Sequence, residues 1–306
     1  MSFQNAAIAE RGTCVALGNF DGIHLGHRAI LENCAKTARE ESLVSVVWSF
    51  RCHPKHILKG DFSTGNIISL SDKEELIREI GIDFLLLEDF ERVRDFSPER
   101  FCREILLEQL CARKVFCGFN FHFGKEGKGD ARFLQEYLAP FGVEVIVEPP
   151  IVLWGETISS TRIRAALCCG NMQEVASLLG RAYSIRFPVL HGKRLGTKIG
   201  FPTLNQRFPE EYVIPKKGVY IVRVCFDGEE RKGICNIGVR PTVSDGEHVT
   251  AETHLFDFCG DLYGKKVSVE FYRFLRPEMK FSSLQALAQQ IERDRQEALL
   301  FWEERK

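Results

Sequence analysis

The sequence predicts an α/β unit on a parallel sheet, followed by a β-rich unit that ends in a helix. Two observations carry this. From Thr13 to about Gly180, short apolar runs alternate with amphipathic stretches, the rhythm of successive β-α-β units. After Tyr183 that rhythm gives way to β-rich segments, which continue until a last helical pattern near Ser282. A chain of 306 residues with 44% apolar composition has material for more than one core. The seam falls at about residues 181–188, giving domains 1–182 and 183–306.

In the first domain Thr13 to Leu17, Leu43 to Phe50, Ile82 to Leu87, Lys114 to Cys117 and Val143 to Val147 read as buried strands. The helices between them carry end signals. Ser71 with Glu74 forms a capping box closed by Gly81, Ser97 precedes Pro98 at a first turn, and Asn171 with Glu174 opens a helix that stops at Gly180. In the second domain Gly218 to Phe226, Arg231 to Ile237, Thr250 to Phe256 and Lys265 to Phe274 read as strands of an antiparallel barrel or sandwich. Asp227-Gly228 is a hairpin turn. The final helix starts near Ser282 with Gln285 as its capping partner, and Leu284, Leu287, Ile291 and Leu299 form its apolar face.

Charge is balanced, 41 basic against 42 acidic residues, which argues against nucleic acid or an anionic membrane as partner. No run of about 18 apolar residues and no leader-like N-terminus is present, so a cytoplasmic protein is expected. The eleven cysteines contain no CxxC and mostly sit in apolar runs, which fits reduced core residues better than disulfides or zinc.

The first candidate site is Gly18-Asn19-Phe20-Asp21-Gly22-Ile23-His24-Leu25-Gly26-His27, between a strand and a helix. Glycines there let backbone amides approach an oxyanion at a helix N-terminus. His24 and His27, spaced i, i+3, share a helix face and both can donate toward a phosphate. The same spacing at His53 and His56 lacks the glycine loop, so spacing alone decides little. A second element, Ser159-Ser160-Thr161-Arg162-Ile163-Arg164, offers three hydroxyls and two guanidinium groups ahead of a helix, a composition suited to a triphosphate. By itself it reads better as an ordinary helix cap with solvated arginines. Both elements follow strands at the edge where parallel sheets bind ligands.

The GxFDxxHxGH and ISSTxxR motifs resemble those of HxGH nucleotidyltransferases, specifically the adenylylating half of bacterial bifunctional riboflavin kinase/FAD synthetases. That resemblance implies a Rossmann-like fold and makes Gly18, Asn19, Phe20, Asp21, Gly26, Ser159, Ser160, Thr161, Arg162 and Arg164 nucleotide-binding residues. The loop Gly118-Phe119-Asn120-Phe121-His122-Phe123-Gly124 also resembles the family's, which implies a nucleotide contact for Asn120. Read without the resemblance, it is an aromatic core segment with a glycine turn.

In the second domain Gly192, Lys193, Gly196, Lys198 and Gly200 lead into Pro202-Thr203-Leu204-Asn205. The spacing is not that of a Walker loop. A glycine loop can close over phosphates while Thr203 and Asn205 offer oxygens to Mg²⁺. A basic, glycine-rich hairpin is the plain alternative. With Asn236 to Thr242, Glu252 to Phe256 and Leu275 to Phe281, the segment resembles the riboflavin kinase domain, a small β-barrel with a C-terminal helix. The resemblance then spans about Cys14 to Asp294 and implies Thr203 and Asn205 as metal ligands and Glu252 as catalytic base. It also implies riboflavin, FMN and ATP as the small-molecule substrates.

The two chemistries call for different groups. An alcohol is a poor nucleophile at neutral pH, so a carboxylate that accepts its proton helps phosphoryl transfer. FMN brings a phosphate already largely dianionic at pH 7 and needs donors and cations instead. Phe50-Arg51-Cys52-His53-Pro54 departs from the family's FxPHP at the edge of the first site. Two rivals remain from sequence: another HxGH transferase with an appended β domain, and a flavin-binding regulator on an enzyme fold.

Overall fold

The computed structural model describes residues 10–51, 65–191, 200–242 and 246–305. Cys52, His53 and His56, and the loop positions Gly192, Lys193, Gly196 and Lys198, lie outside the described residues. Two compact units are present, one holding the chain to Asn66 with Leu70–Ser160, the other Ile67–Ser69 with Thr161–Lys306. The division at Ser160/Thr161 precedes the expected seam, because the helix Met172–Leu179 packs on barrel strands at Tyr183–Pro188 and Lys266–Arg276.

In the first unit β1 (Thr13–Leu17), β2 (Val44–Phe50), β3 (Phe84–Glu88), β4 (Ala112–Gly118) and β7 (Glu144–Glu148) form a parallel sheet in the order β3-β2-β1-β4-β7. The hairpin β5 (His122–Phe123) and β6 (Gly129–Asp130) follows β4, and β8 (Val152–Leu153) with β9 (Glu156–Thr157) follows β7. From β1 the chain moves to β2, whereas β4 lies on the other side of β1 and leads to β7. Such a reversal opens a crevice at the strand C-termini. Leu17 pairs with Cys117, so the loops after β1 and β4 leave side by side.

Helix α1 (Leu25–Glu40) buries Leu31, Cys34 and Ala38 on one face of the sheet, where the Cys34 thiol donates to the Cys14 carbonyl at 3.3 Å. The opposite face, with Val15, Leu17, Val46 and Trp48, packs on α3 (Phe101–Gln109) and α4 (Ala131–Leu138). Alternation along β1 thus feeds two cores, as period-2 geometry requires. Helix α2 (Leu70–Ile80) starts earlier than expected, so Ser71 lies inside its first turn rather than at its cap. The Ser69-x-x-Asp72 spacing provides an equivalent start signal upstream. Ser97 does cap its turn, accepting from the Arg100 amide at 3.2 Å.

The second unit begins with α5 (Ser160–Cys169) and α6 (Met172–Leu179), the latter capped by Asn171 and closed by left-handed Gly180. Strands β10 (Tyr183–Pro188), β11 (Leu204–Arg207), β12 (Gly218–Phe226), β13 (Glu229–Thr242), β14 (Gly246–Leu255) and β15 (Lys266–Arg276) form one antiparallel sheet in the order β10-β15-β12-β13-β14-β11. The sheet curls into a barrel rather than a sandwich. The Leu190 amide donates to the Asn205 carbonyl at 2.7 Å across the gap between β10 and β11. There the buried Gln206 amide also donates to the Phe187 and Val267 carbonyls.

Tyr220, Val222 and Val224 fill the barrel, and the alternate Val219 and Ile221 face α7 (Leu284–Glu303). Ser283, not Ser282, caps α7, and it accepts from the Ala286 amide, so Gln285 stands one position short of a capping box. The buried face of α7 is Asp294, Ala298 and Phe301, whereas Leu284 is exposed. Asp227 and Gly228 are both left-handed, as the hairpin between β12 and β13 requires.

No disulfide forms among the described cysteines. Burial pushes the Cys102, Cys117 and Cys235 thiols up to about 12, consistent with inert core residues. Cys168, Cys169 and Cys259 are exposed, against the expectation for a core role.

Candidate active sites

The loop between β1 and α1 is strained. Phe20, Gly22 and Ile23 have φ of 50°, 84° and 38°, and the Phe20 and Ile23 side chains are buried. Left-handed apolar residues persist only where surroundings hold them. The two outer glycines make room for side chains of the same loop. A Cβ on Gly18 would stand 2.8 Å from Cζ of Phe20, and one on Gly26 would stand 3.2 Å from Cε1 and Nδ1 of His24.

His24 is the N-cap of α1. Its Nδ1 accepts from the His27 amide at 3.2 Å, so the ring proton belongs on Nε2. Donation by the His24 ring therefore falls to Nε2. The two imidazoles stack at 3.6 Å with planes 18° apart, and the Phe20 ring meets His27 edge-on at 5.3 Å.

Consecutive parts of the loop are held from outside it. The Asn19 carbonyl accepts from Lys73 Nζ at 2.8 Å and from Ser49 Oγ at 3.1 Å. The carbonyl of the buried Asp21 accepts from Ser160 Oγ at 2.9 Å, which joins the two N-terminal motifs. Ser159 is half-buried just before it. Thr161, Arg162 and Arg164 fall in the second unit, where Arg162 gives Nε and Nη2 to Glu174, each at 2.9 Å. Asn120 lies exposed in the turn after β4, its Oδ1 against Gly118, and its carbonyl lies 3.0 Å from a ring nitrogen of His122. Beside the C-terminal end of β2 is a cavity of about 480 Å³ lined by Trp48, Phe50, Phe90, Phe101, Phe121 and Phe123.

In the barrel, β14 sets Glu252 directly opposite Asn205 on β11 and Asn236 on β13. Directly paired residues share a sheet face, so the row Asn205, Glu252, Asn236 points one way. Glu252, Asn236, Thr203, His254 and Glu278 line a cavity of about 360 Å³. A second cavity, about 320 Å³, is lined by Thr203, Asn205, Cys259 and Tyr263, so Thr203 borders both. Gly200 is exposed at the start of this segment. The Asn236 amide donates to Glu278 at 3.3 Å, and a Cβ on Gly238 would lie 2.1 Å from the Glu278 carboxylate. The carboxylate therefore lies flat on the strand only because residue 238 is glycine.

The His254 ring accompanies Glu252 on the same strand face, with Nδ1 2.9 Å from the Pro202 carbonyl. Burial lowers its basicity below the ordinary histidine value, and nearby Arg295 adds to that, while the Pro202 carbonyl opposes it. Lys73, Glu278 and His254 were not singled out from sequence. Lys73 reads as one charge among several on an amphipathic helix, whereas Glu278 and His254 stood inside quoted motifs without roles.

Fold and sites define a chain with a nucleotidyltransferase-type α/β unit and a separate phosphotransferase-type barrel. The FAD synthetase family model matches residues 7–162 and the riboflavin kinase model residues 179–301. The bifunctional riboflavin kinase/FMN adenylyltransferase of Bacillus subtilis is 36% identical over 94% of this chain and 92% of its own length. That of Listeria monocytogenes is 34% identical over the same shares, and that of Escherichia coli 35% over 93% and 91%. A crystal structure described as a macrolide-efflux protein from Streptococcus pneumoniae superposes with a TM-score of 0.81 at 31% identity, covering 93% of both chains. The chain belongs to the bifunctional riboflavin kinase/FMN adenylyltransferase family.

Proposed function

We propose that the chain makes flavin cofactors in two steps: it phosphorylates riboflavin to FMN with ATP, then transfers AMP from a second ATP to FMN, giving FAD and pyrophosphate. The observation that carries this reading is that the two units hold chemically different sites. One presents imidazoles and a helix N-terminus, and the other a carboxylate between two amides.

In the barrel, riboflavin takes the cavity containing Glu252, and ATP takes the neighbouring one, so phosphate passes beside Thr203, which lines both. Glu252 accepts the proton of the attacking alcohol. The hydroxyl of Thr203 and the amide oxygen of Asn205 are hard oxygen donors. Among the described residues no cluster of three His, Cys, Asp or Glu side chains could hold an ion instead. That donor set fits Mg²⁺, which takes few protein oxygens and completes its shell with phosphate. When bound, the ion neutralises charge on the phosphates. Gly192, Lys193, Gly196, Lys198 and Gly200 are the proposed nucleotide-binding residues of this half.

In the α/β unit, the FMN phosphate attacks the α-phosphorus of ATP without a general base. Nε2 of His24 and the His27 ring donate to the transferring phosphoryl group, aided by the α1 N-terminus. Gly18, Asn19, Phe20, Asp21, Gly26, Asn120, Ser159, Ser160 and Thr161 shape the nucleotide pocket. Of the two nucleotide-binding arginines, Arg162 or Arg164 helps hold the leaving phosphates. The aromatic cavity at Trp48 and Phe121 suits the isoalloxazine ring, which stacks on such side chains. The functional domains are 1–182 and 183–306. Among the described residues no helix is long and apolar enough to cross a membrane. The proposed site of action is the cytoplasm.

Incubation with riboflavin, ATP and Mg²⁺, with the flavins separated over time, tests the reading. FMN followed by FAD supports it; no conversion refutes it, and FMN alone refutes the adenylyl half.

A further inference from the structure

We propose that Lys73 is a positioning residue for adenylyl transfer: its ammonium fixes the Asn19 carbonyl and, through Phe20, sets the place of the His27 imidazole. The inference rests on the assignment of His27 to that reaction.

The buried positions of α2 are Lys73 and Ile77, one turn apart. A helix that covers a sheet ordinarily fills such a stripe with apolar residues. Here one position holds a lysine that is only 7% exposed. Taking that charge from water costs several kcal/mol unless hydrogen bonds compensate. An apolar side chain of similar length would avoid that cost, which the lysine offsets through the hydrogen bonds of its head. Its Nζ donates to the Asn19 carbonyl at 2.8 Å, a charge-assisted bond shared at that oxygen with Ser49 Oγ.

The residue after that carbonyl is the left-handed Phe20. With the Asn19 carbonyl pinned, the next peptide plane is set, and the Phe20 ring is directed back under Gly18 and edge-on to His27. One strained residue of this kind costs roughly 1–3 kcal/mol and persists only when neighbours over-determine it. Lys73 and Ser49 on one side of Phe20, and Ser160 at the Asp21 carbonyl on the other, are those neighbours. The line of contact runs from Lys73 through Asn19 and Phe20 to His27.

The test is a double-mutant cycle on FAD formation, with the unfolding midpoint of each variant's α/β unit as the folding control. Lys73→Met should lower kcat for FAD formation roughly 10- to 100-fold, the value of one charge-assisted bond, with KM for ATP nearly unchanged. On a His27→Ala background the same substitution should have no further effect. Ser49→Ala, which removes the weaker donor to the same carbonyl, should give a smaller loss of kcat that also vanishes on His27→Ala. It carries the test if Lys73→Met does not fold. Equal losses in both backgrounds, a rise in KM alone, or undiminished FAD formation in Lys73→Met overturns the proposal. Undiminished FAD formation in His27→Ala overturns the site assignment itself.

Discussion

Gly18→Ala places one methyl group against the part of the loop that carries His27. The added Cβ would meet Cζ of Phe20 at 2.8 Å and the two neighbouring ring carbons at 3.1 Å. Carbon atoms pack comfortably at about 3.5–4.0 Å, so the ring must retreat by roughly 1 Å. Phe20 has 0% exposure and cannot swing outward; the force reaches His27, whose ring it touches edge-on. Overpacking of this kind costs about 1–3 kcal/mol, and a 1 Å displacement of a reacting group costs on the order of 100-fold in rate. The expected result is FAD formation reduced on the order of 100-fold with FMN formation at the parental rate, both read by timed chromatography. Gly18→Ala/Phe20→Leu, which removes the offending ring carbons, should regain part of the loss. FAD formation within about twofold of the parent in Gly18→Ala would refute the steric linkage between residue 18 and the histidine pair.

His27→Ala should cut FAD formation to a small residual rate and preserve FMN formation, whereas Glu252→Ala should cut FMN formation and preserve FAD formation when FMN is supplied; loss of both activities in one folded mutant would defeat the two-site assignment. Asp294→Ala removes the carboxylate that receives Arg276 Nε and Nη2 at 2.9 and 2.7 Å, and leaves the Arg276 side chain, only 16% exposed, without that partner. Breaking such a pair costs roughly 3 kcal/mol, measurable as a lower denaturant midpoint for the barrel. Because burial lowers the His254 pKa below its unfolded value, the unfolded barrel binds the extra proton first. Barrel stability should therefore fall as pH drops through and below about 6.5 and be flat above it, and His254→Gln should remove that slope.

What sequence established follows from its local content. Strand runs, the Asn171 cap, the Asp227-Gly228 turn and the glycine-histidine loop are set by residues adjacent in the chain, through periodicity, capping and φ preference. They account for the α/β-then-β order and for the candidate site residues. Even there, helix starts moved, as α2 begins at Leu70, ahead of Ser71, and Ser283 rather than Ser282 caps α7.

Tertiary structure alone decided which distant residues meet. Lys73 reaches Asn19, Ser160 reaches Asp21, Gly238 receives Glu278, and Gln206 spans the barrel gap. Each depends on how whole elements pack, and that packing is fixed by the sum of burial over a core rather than by the spacing of a motif.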